Sequence, residues 1–224
     1  MTTELQTMAL TLKITFDTPV NIGGYGAPTF VDRPFRRDRE GWPFIPATTL
    51  KGRLRHECER LAQLLGVHSC YSSNPQNLCH GAGAPCVGCR IFGSAWVTGR
   101  LYPTDLMLIP PLKTKQAPLS ETRFNVSISR QRQVAEDARL FTTELFLPGI
   151  PLVFTGRWEA RLSLEELVLV EAGLGTITSL GRGKTGGLGW CTIQVQSEIG
   201  EKEGWRAVSE AERAGGRLAW EKQG

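Results

Sequence analysis

Hydrophobic residues first alternate near the amino terminus, where Met8, Leu10, Leu12, Ile14 and Phe16 are interleaved with mostly polar residues. A period of two predicts a half-buried strand over Met8–Val20. The period then lengthens: Leu50, Leu54, Cys58, Leu61 and Leu65 recur at helical spacing, predicting a helix from about Thr49 to Leu65 with Thr48 or Thr49 as its N-cap. Leu101–Ile109 reads as a short strand, and Leu152, Phe154, Trp158, Ala160 and Leu162 mark another from about Ile150. Ser163-Leu164-Glu165-Glu166 has the form of a capping box opening a second helix through about Ala172. A last strand is expected over Trp190–Gln196. The order strand, helix, strand, strand, helix, strand predicts an α+β domain of split βαβ type.

Three segments interrupt this order. Asn21–Pro46 is rich in glycine, proline and charge and predicts a long loop. His68–Arg90 concentrates cysteine. Pro110–Pro148 carries charges and little core pattern, which marks an excursion from the core. From Gly200 the chain is polar apart from Trp205 and Trp220. The expected organisation is one domain over residues 1–199, with insertions at about 68–90 and 110–148, and a polar tail over 200–224.

Length and composition suit a soluble domain with a full core. The amino terminus lacks the basic and apolar regions of a secretory signal, and no apolar run nears the ~18 residues of a membrane span. A cytoplasmic location without membrane contact is therefore expected. The net charge of +4 is too mild to name a partner, but its distribution is uneven. Between Asp32 and Arg60 eight Lys/Arg face five Asp/Glu, and between Lys113 and Arg139 six face three. Two basic stretches suit either a polyanion lying across the surface or solvated faces.

Cys70, Cys79, Cys86 and Cys89 fall within twenty residues, the last two as Cys-x-x-Cys. In a reducing compartment such a cluster favours closed tetrahedral zinc over disulfides. His68 or His80 could stand in for one cysteine. Cys58 and Cys191 fall on core positions.

Gly181-Arg182-Gly183-Lys184-Thr185-Gly186 formally matches G-x-G-x-x-G, but here helix precedes loop and strand follows, the reverse of a dinucleotide site. A Walker A loop fails too, because Thr178 stands where its first glycine would be. Five glycines in nine residues with Arg182 and Lys184 remain, either a tight turn or a loop whose backbone N–H groups line up on phosphates.

Read together, Gly181–Gly189 before the last strand and Ile45-Pro46-Ala47-Thr48-Thr49-Leu50-Lys51-Gly52-Arg53-Leu54-Arg55 resemble the RAMP superfamily, the subunits that hold guide RNA in type III CRISPR effector complexes. Gly99-Arg100-Leu101 and Arg123-Phe124-Asn125-Val126-Ser127-Ile128-Ser129-Arg130 add to the likeness, and Cys89-Arg90-Ile91-Phe92-Gly93 is similar to zinc-bearing members. The resemblance runs from Leu10 to Val195 and is closest to the backbone subunit that repeats along the guide. It implies a modified RRM-like, ferredoxin-like core with a zinc-binding insertion and a β-hairpin thumb at 110–148. It implies guide contacts by Lys51, Arg53, Arg55, Arg123, Asn125, Arg130 and the loop residues Gly181, Arg182, Gly183 and Lys184. Its partners would be CRISPR guide RNA, complementary target RNA and other CRISPR effector subunits.

In target-cleaving members an aspartate lies two residues before a proline, after a Gly-Gly turn; here Asp32 precedes Pro34 and follows Gly23-Gly24. The resemblance implies that Asp32, with magnesium or manganese, assists attack of a 2′-OH on the adjacent phosphate. A non-catalytic RAMP subunit is the alternative, with Asp32 merely paired to Arg33, Arg36 or Arg37. A third reading is a small metal-dependent enzyme whose glycine loop holds a phosphorylated substrate. Asp38 is expected in a salt bridge with its arginine neighbours, and Asp105 in packing or capping.

Overall fold

The structure, a computed structural model, describes residues 4–24, 31–70, 72, 74–80, 83–109, 120–146 and 152–199. The expected tail over 200–224 and parts of the two insertions lie outside the described residues. Strand β1 (Gln6–Phe16) is followed by a two-residue strand β2 (Phe44–Ile45) and helix α1 (Ala47–Leu64). A short helix α2 (Val87–Phe92) closes the cysteine-rich segment. Strands β3 (Leu101–Tyr102) and β4 (Leu106–Leu108) follow, where a single strand is expected from the sequence. Then come β5 (Ser120–Ile128), β6 (Ala135–Phe146), β7 (Leu152–Leu162), α3 (Leu164–Gly175) and β8 (Cys191–Ile199).

The main sheet runs β2-β4-β7-β1-β8, with β3 also pairing β7, and every pairing is antiparallel. Two βαβ-type halves interleave, so β1 and β7 are central: a ferredoxin-like arrangement. The alternation in β1 has its expected physical cause: Met8, Leu10, Leu12, Ile14 and Phe16 are all buried on the helix-covered face. On β7 the buried set is Leu152, Phe154, Trp158, Ala160 and Leu162. Phe16 and Phe154 meet edge to face at 5.8 Å, and the Trp158 indole N–H donates to the Thr104 carbonyl at 2.8 Å.

Helix α1 begins earlier than the threonine caps predict. Its N-cap is Pro46, which offers no side-chain acceptor. Asp105, arriving from the β3–β4 connection, instead accepts the Ala47 N–H at 2.7 Å, so the expected capping role of Asp105 is met from far along the chain. Leu50, Leu54 and Cys58 are buried as expected; Leu65, placed in the core stripe by its spacing, lies past the helix end and is exposed. Ala62 fills the stripe one turn earlier. The capping box on α3 forms in full: Glu166 N–H donates to Ser163 Oγ, and Ser163 N–H donates to the Glu166 carboxylate, both at 3.2 Å. That buried carboxylate also takes Arg90 at 2.8 Å and Arg100 at 3.5 Å, joining α2 and the approach to β3 to the start of α3.

Helices α1 and α3 approach closely because Gly173 has no side chain: a Cβ there would sit 2.6 Å from Cys58 Sγ and 3.0 Å from a Leu54 methyl. At Gly175, two residues on, a Cβ would meet nothing within 4 Å. Alanine is favoured over glycine in helices by about 0.5–1 kcal/mol. At Gly173 overpacking, about 1–3 kcal/mol, outweighs this gain. Gly173→Ala is therefore expected to lower, and Gly175→Ala to raise, the midpoint of urea unfolding. Equal effects of the two substitutions would contradict this packing.

The remaining strands, β5 and β6, form a two-stranded hairpin apart from the main sheet, with a bulge between Val126 and Ile128. Phe124, Val126 and Ile128 alternate with polar residues along β5 of the hairpin, but they do not report on a core: Phe124, Ile128 and Leu140 are all largely exposed. Its inner end is embedded, with Leu145 and Phe146 buried. Among the described residues no helix is long and apolar enough to cross a membrane.

Candidate nucleic-acid interface and metal centre

The segment leaving β1, Asp17–Gly24, is bound on both sides. On one side lies the glycine loop. Asp17 N–H donates to Trp190, Gly189 N–H to Pro19, and Arg182 N–H to Asn21, all within 2.8–2.9 Å. On the other side Val20 and Phe146 exchange backbone bonds of 3.1 Å, and Arg36 N–H donates to Ile22 at 2.9 Å. The close fit explains two of the loop glycines. Gly181 has φ +92°, and a Cβ would fall 2.4 Å from the Asn21 carbonyl oxygen; at Gly189 (φ +72°) it would fall 1.9 Å from that of Leu180. No side chain fits either position.

A cleft of about 370 Å³ opens between this loop and the first turns of α1, lined by Gly23, Thr49, Gly52, Arg53, His56, Gly181, Arg182 and Lys184 among others. Gly183, beside it, caps a single 3-10 turn over Lys184–Gly186 with φ +70°. The guanidinium of Arg182 lies over Gly23, where a Cβ would be 3.1 Å from its Nε. Arg182 and Lys184 are exposed, and neither pairs with an acid among the described residues. Arg53 gives one terminal nitrogen to Glu57 at 2.9 Å, while its buried Nε has no partner among the described residues. The cleft thus holds cationic donors with spare capacity.

The three cations expected from α1 do not act as one set. Thr49, Gly52, Arg53 and His56 form the i, i+3, i+4, i+7 stripe that faces the cleft. Lys51 and Arg55 lie on another stripe. Lys51 is half-buried, and burial, followed by repulsion from Arg55, lowers its ammonium pKa. Arg55 points to the cysteine cluster. The other expected contacts, Arg123, Asn125 and Arg130, are on the hairpin: Arg123 and Arg130 are exposed, and the Asn125 amide donates to Thr143 Oγ1 at 3.1 Å.

Asp32 meets the base of the hairpin. Its Oδ2 accepts the N–H of Thr142 at 2.7 Å and the Thr142 hydroxyl at 2.9 Å. The Asp32 N–H donates back to Thr142 Oγ1. These bonds, the backbone donor foremost, lower the carboxyl pKa below its ordinary 3.8. It is fully exposed, ionised at neutral pH, and Oδ1 accepts no hydrogen bond among the described residues. The neighbouring arginines are engaged elsewhere: Arg33 stacks on Phe141 at 3.8 Å, Arg36 lies over Phe44, and Arg37 pairs with Glu144. Asp38 makes no salt bridge among the described residues; its Oδ1 accepts the N–H groups of Glu40 and Trp42 at 2.9 and 2.8 Å, closing a turn.

Sequence reasoning missed the two residues that lock this region. Glu144 accepts the Phe35 N–H at 2.8 Å besides pairing with Arg37; burial opposes its ionisation, but these donors and Ser120 outweigh it and lower its pKa. Asn21, fully buried, donates its amide to the carbonyls of Arg33 and Glu144 at 3.1 and 2.7 Å. Both act across more than a hundred residues, so no local pattern could reveal them. The Asn21–Gly24 run of small polar and glycine residues was the only signal.

The four cysteines expected to bind metal converge, their Sγ atoms all within 4.8 Å of one another. Cys70 lies 3.4 Å from Cys79 and 3.6 Å from Cys86. A tetrahedral zinc–thiolate centre with bonds of about 2.3 Å needs sulfur separations of about 3.8 Å, so the set fits zinc. Backbone N–H groups of Cys86 and Cys89 point at Cys79 and Cys86 sulfurs at 3.3 and 3.4 Å, favouring thiolates. Neither histidine joins the set: His80 bonds the Gln76 carbonyl and packs on Trp96, and His68 is exposed. Burial raises the Cys86 thiol pKa, but donors from Cys89 and Cys70 outweigh it and bring it to about 7. One zinc per chain is therefore expected by metal analysis. Its affinity should weaken as pH falls, because protons compete for the thiolates, and uptake should release protons. A metal affinity independent of pH would contradict thiolate ligation.

The sequence model of the RAMP superfamily matches residues 13–192, from β1 through the glycine loop to the start of β8. No curated protein matches the chain.

Proposed function

Because the chain belongs to the RAMP superfamily, we propose that it is a guide-RNA-binding backbone subunit of a type III CRISPR effector complex that cleaves bound target RNA. Family membership implies association with RNA and with CRISPR complex subunits. The observation that carries the finer reading is the cleft between α1 and the glycine loop. There Arg182 and Lys184, which make no ion pair among the described residues, and Arg53, paired on one side with Glu57, line one groove. A phosphate chain satisfies such a groove. Lys51 stands on the neighbouring stripe and is expected to contribute less than Arg53.

The hairpin supports the target-facing part of the proposal. Phe124, Val126, Ile128 and Leu140 are exposed apolar side chains on a projecting two-stranded arm, with Arg123 and Arg130 alongside. Bases stack on such surfaces, and a wedge of this kind would open a guide–target duplex. Thr142, which holds the Asp32 carboxylate, is the cross-strand partner of Phe124. A base turned out by the wedge would therefore come close to Asp32. The attacking 2′-OH and its phosphate belong to the same RNA strand, so orientation and charge stabilisation supply much of the rate. The 2′-oxygen forms its bond to phosphorus as the bond to the 5′-oxygen breaks. The products are a 2′,3′-cyclic phosphate and a 5′-OH. A single carboxylate beside RNA phosphates is a ligand set that magnesium commonly takes, and such an ion would offset the developing negative charge.

One observation favours a second reading, a non-catalytic structural subunit: Asp32 already has work in fastening its loop to Thr142. Asp32→Asn separates the two, because it keeps an acceptor for Thr142 and removes the charge. In the assembled guide complex with magnesium or manganese, wild type is expected to cut target RNA at regular intervals. Asp32→Asn should bind guide and target equally and not cut. Binding without cuts in both would leave the structural subunit, and absence of guide-dependent binding would overturn the whole proposal. Removing one phosphate contact by Arg53→Ala, Arg182→Ala or Lys184→Ala should lower the slope of log affinity against log salt by about 0.7 each. An unchanged slope in all three would exclude the cleft as the guide path.

A further inference from the structure

We infer that Arg55 is a positioning residue of the four-cysteine metal centre, fastening it to α1 and supplying its counter-charge. The inference rests on reading that cluster as a metal site. Arg55 divides its guanidinium three ways. Its Nε donates to Glu59 Oε1 at 2.8 Å, one terminal nitrogen donates to the Gly93 carbonyl at 2.7 Å, and the other reaches Cys89 Sγ at 3.7 Å. One side chain thereby spans its own helix, the residue that ends α2, and a ligand sulfur.

The surroundings require a cation there. Four thiolates around a divalent ion leave two negative charges, and Glu59, buried on the adjacent turn of α1, adds a third. The Cys-x-x-Cys loop lies directly on this glutamate, since a Cβ at Gly88 would be 3.0 Å from Glu59 Oε1. Among the described residues Arg55 is the cation bonded to a ligand sulfur. A planar fork can serve three separate acceptors at fixed angles, whereas a lysine ammonium concentrates its charge at one point. The same commitments leave Arg55 little capacity for phosphate, and its stripe is not the one lining the cleft.

The test uses the full chain carrying Arg55→Gln, Arg55→Lys or Arg53→Ala, loaded with cobalt(II) or zinc. Three quantities are read: metal lost to a chromogenic chelator, the thiolate-to-cobalt charge-transfer band, and guide-RNA affinity of metal-saturated protein. Partners of this kind typically contribute 10–100-fold to metal affinity, so Arg55→Gln is expected to lose metal about that much more readily. Its charge-transfer band should move to longer wavelength as Cys89 loses a donor, with Arg55→Lys intermediate in both. Metal-saturated Arg55→Gln should bind guide as tightly as wild type, while Arg53→Ala keeps its metal and binds guide more weakly. Wild-type metal retention and spectrum in Arg55→Gln would overturn the inference. So would a guide-binding defect in Arg55→Gln that still holds its metal normally, which would make Arg55 a phosphate contact. Should wild type itself take up no metal, the metal-centre reading fails and this inference with it, leaving the cleft untouched. If Arg55→Gln does not fold, Arg55→Lys with wild-type retention and spectrum overturns the inference alone.

Discussion

Everything distinctive in this molecule hangs on the eight residues that leave the central strand, Asp17–Gly24. They form no regular element, yet their backbone groups and the Asn21 amide are shared between the glycine loop, the arginine-rich loop after Val31, and the base of the hairpin. Asn21 comes so close that Gly181 has no room for a Cβ. Val20 and Asn21 bond the base of the hairpin, and Asp17, Pro19 and the same Asn21 hold the glycine loop. The candidate RNA groove and the Asp32 carboxylate lie on opposite sides of the seam, so one short segment fixes both.

Charge is sorted by the same packing. Cations are abundant in the basic stretches, but many are already spent: Arg37 on Glu144, Arg55 on Glu59, Arg60 on Glu57, Arg90 and Arg100 on Glu166. In each of these pairs the carboxylate is largely buried and the arginine lies nearer solvent. A buried carboxylate without its partner would be costly, so these arginines are committed to the fold and poorly placed to serve a ligand. Arg182 and Lys184 differ in making no ion pair among the described residues, and Arg53, though paired with Glu57 like the others, lines the same groove. Counting basic residues along the chain could not make that distinction.

The central strands were legible because their alternating residues report directly on a one-sided core, and the α3 capping box because it is local. The first helix was legible in its buried face but not in its ends. Its start is fixed by Asp105 across fifty-eight residues, and its last apolar residues, Leu64 and Leu65, stay in water. The hairpin strand β5 does alternate, Phe124, Val126 and Ile128 against Arg123, Asn125 and Ser127, but its apolar side chains face solvent and not a core. The hairpin was therefore expected from the resemblance and not from a core pattern. Lys51, Arg53 and Arg55 are grouped by the resemblance of their segment to the family, but a helix turns about 100° per residue and only Arg53 falls on the stripe that lines the cleft. The four cysteines were legible as a set because they fall close together in the chain, and their sulfurs do converge.

A metal held by the four cysteines would matter beyond its own ligands. Among the described residues the cysteine-rich segment's own small cluster is Leu78, Cys86 and Cys89, with Cys70 and Cys79 packed beside them, while Val87, Ile91 and Phe92 of α2 join the main core. Metal–thiolate bonds at the four cysteines would add to what this small cluster supplies. The consequence travels inward. Arg90 on α2 bonds Glu166, and Glu166 closes the capping box that starts α3. Arg55 joins the same helix α2 to α1. Order in the insertion therefore bears on both helices that cover the sheet, which gives a peripheral metal centre a hold on the scaffold behind the groove.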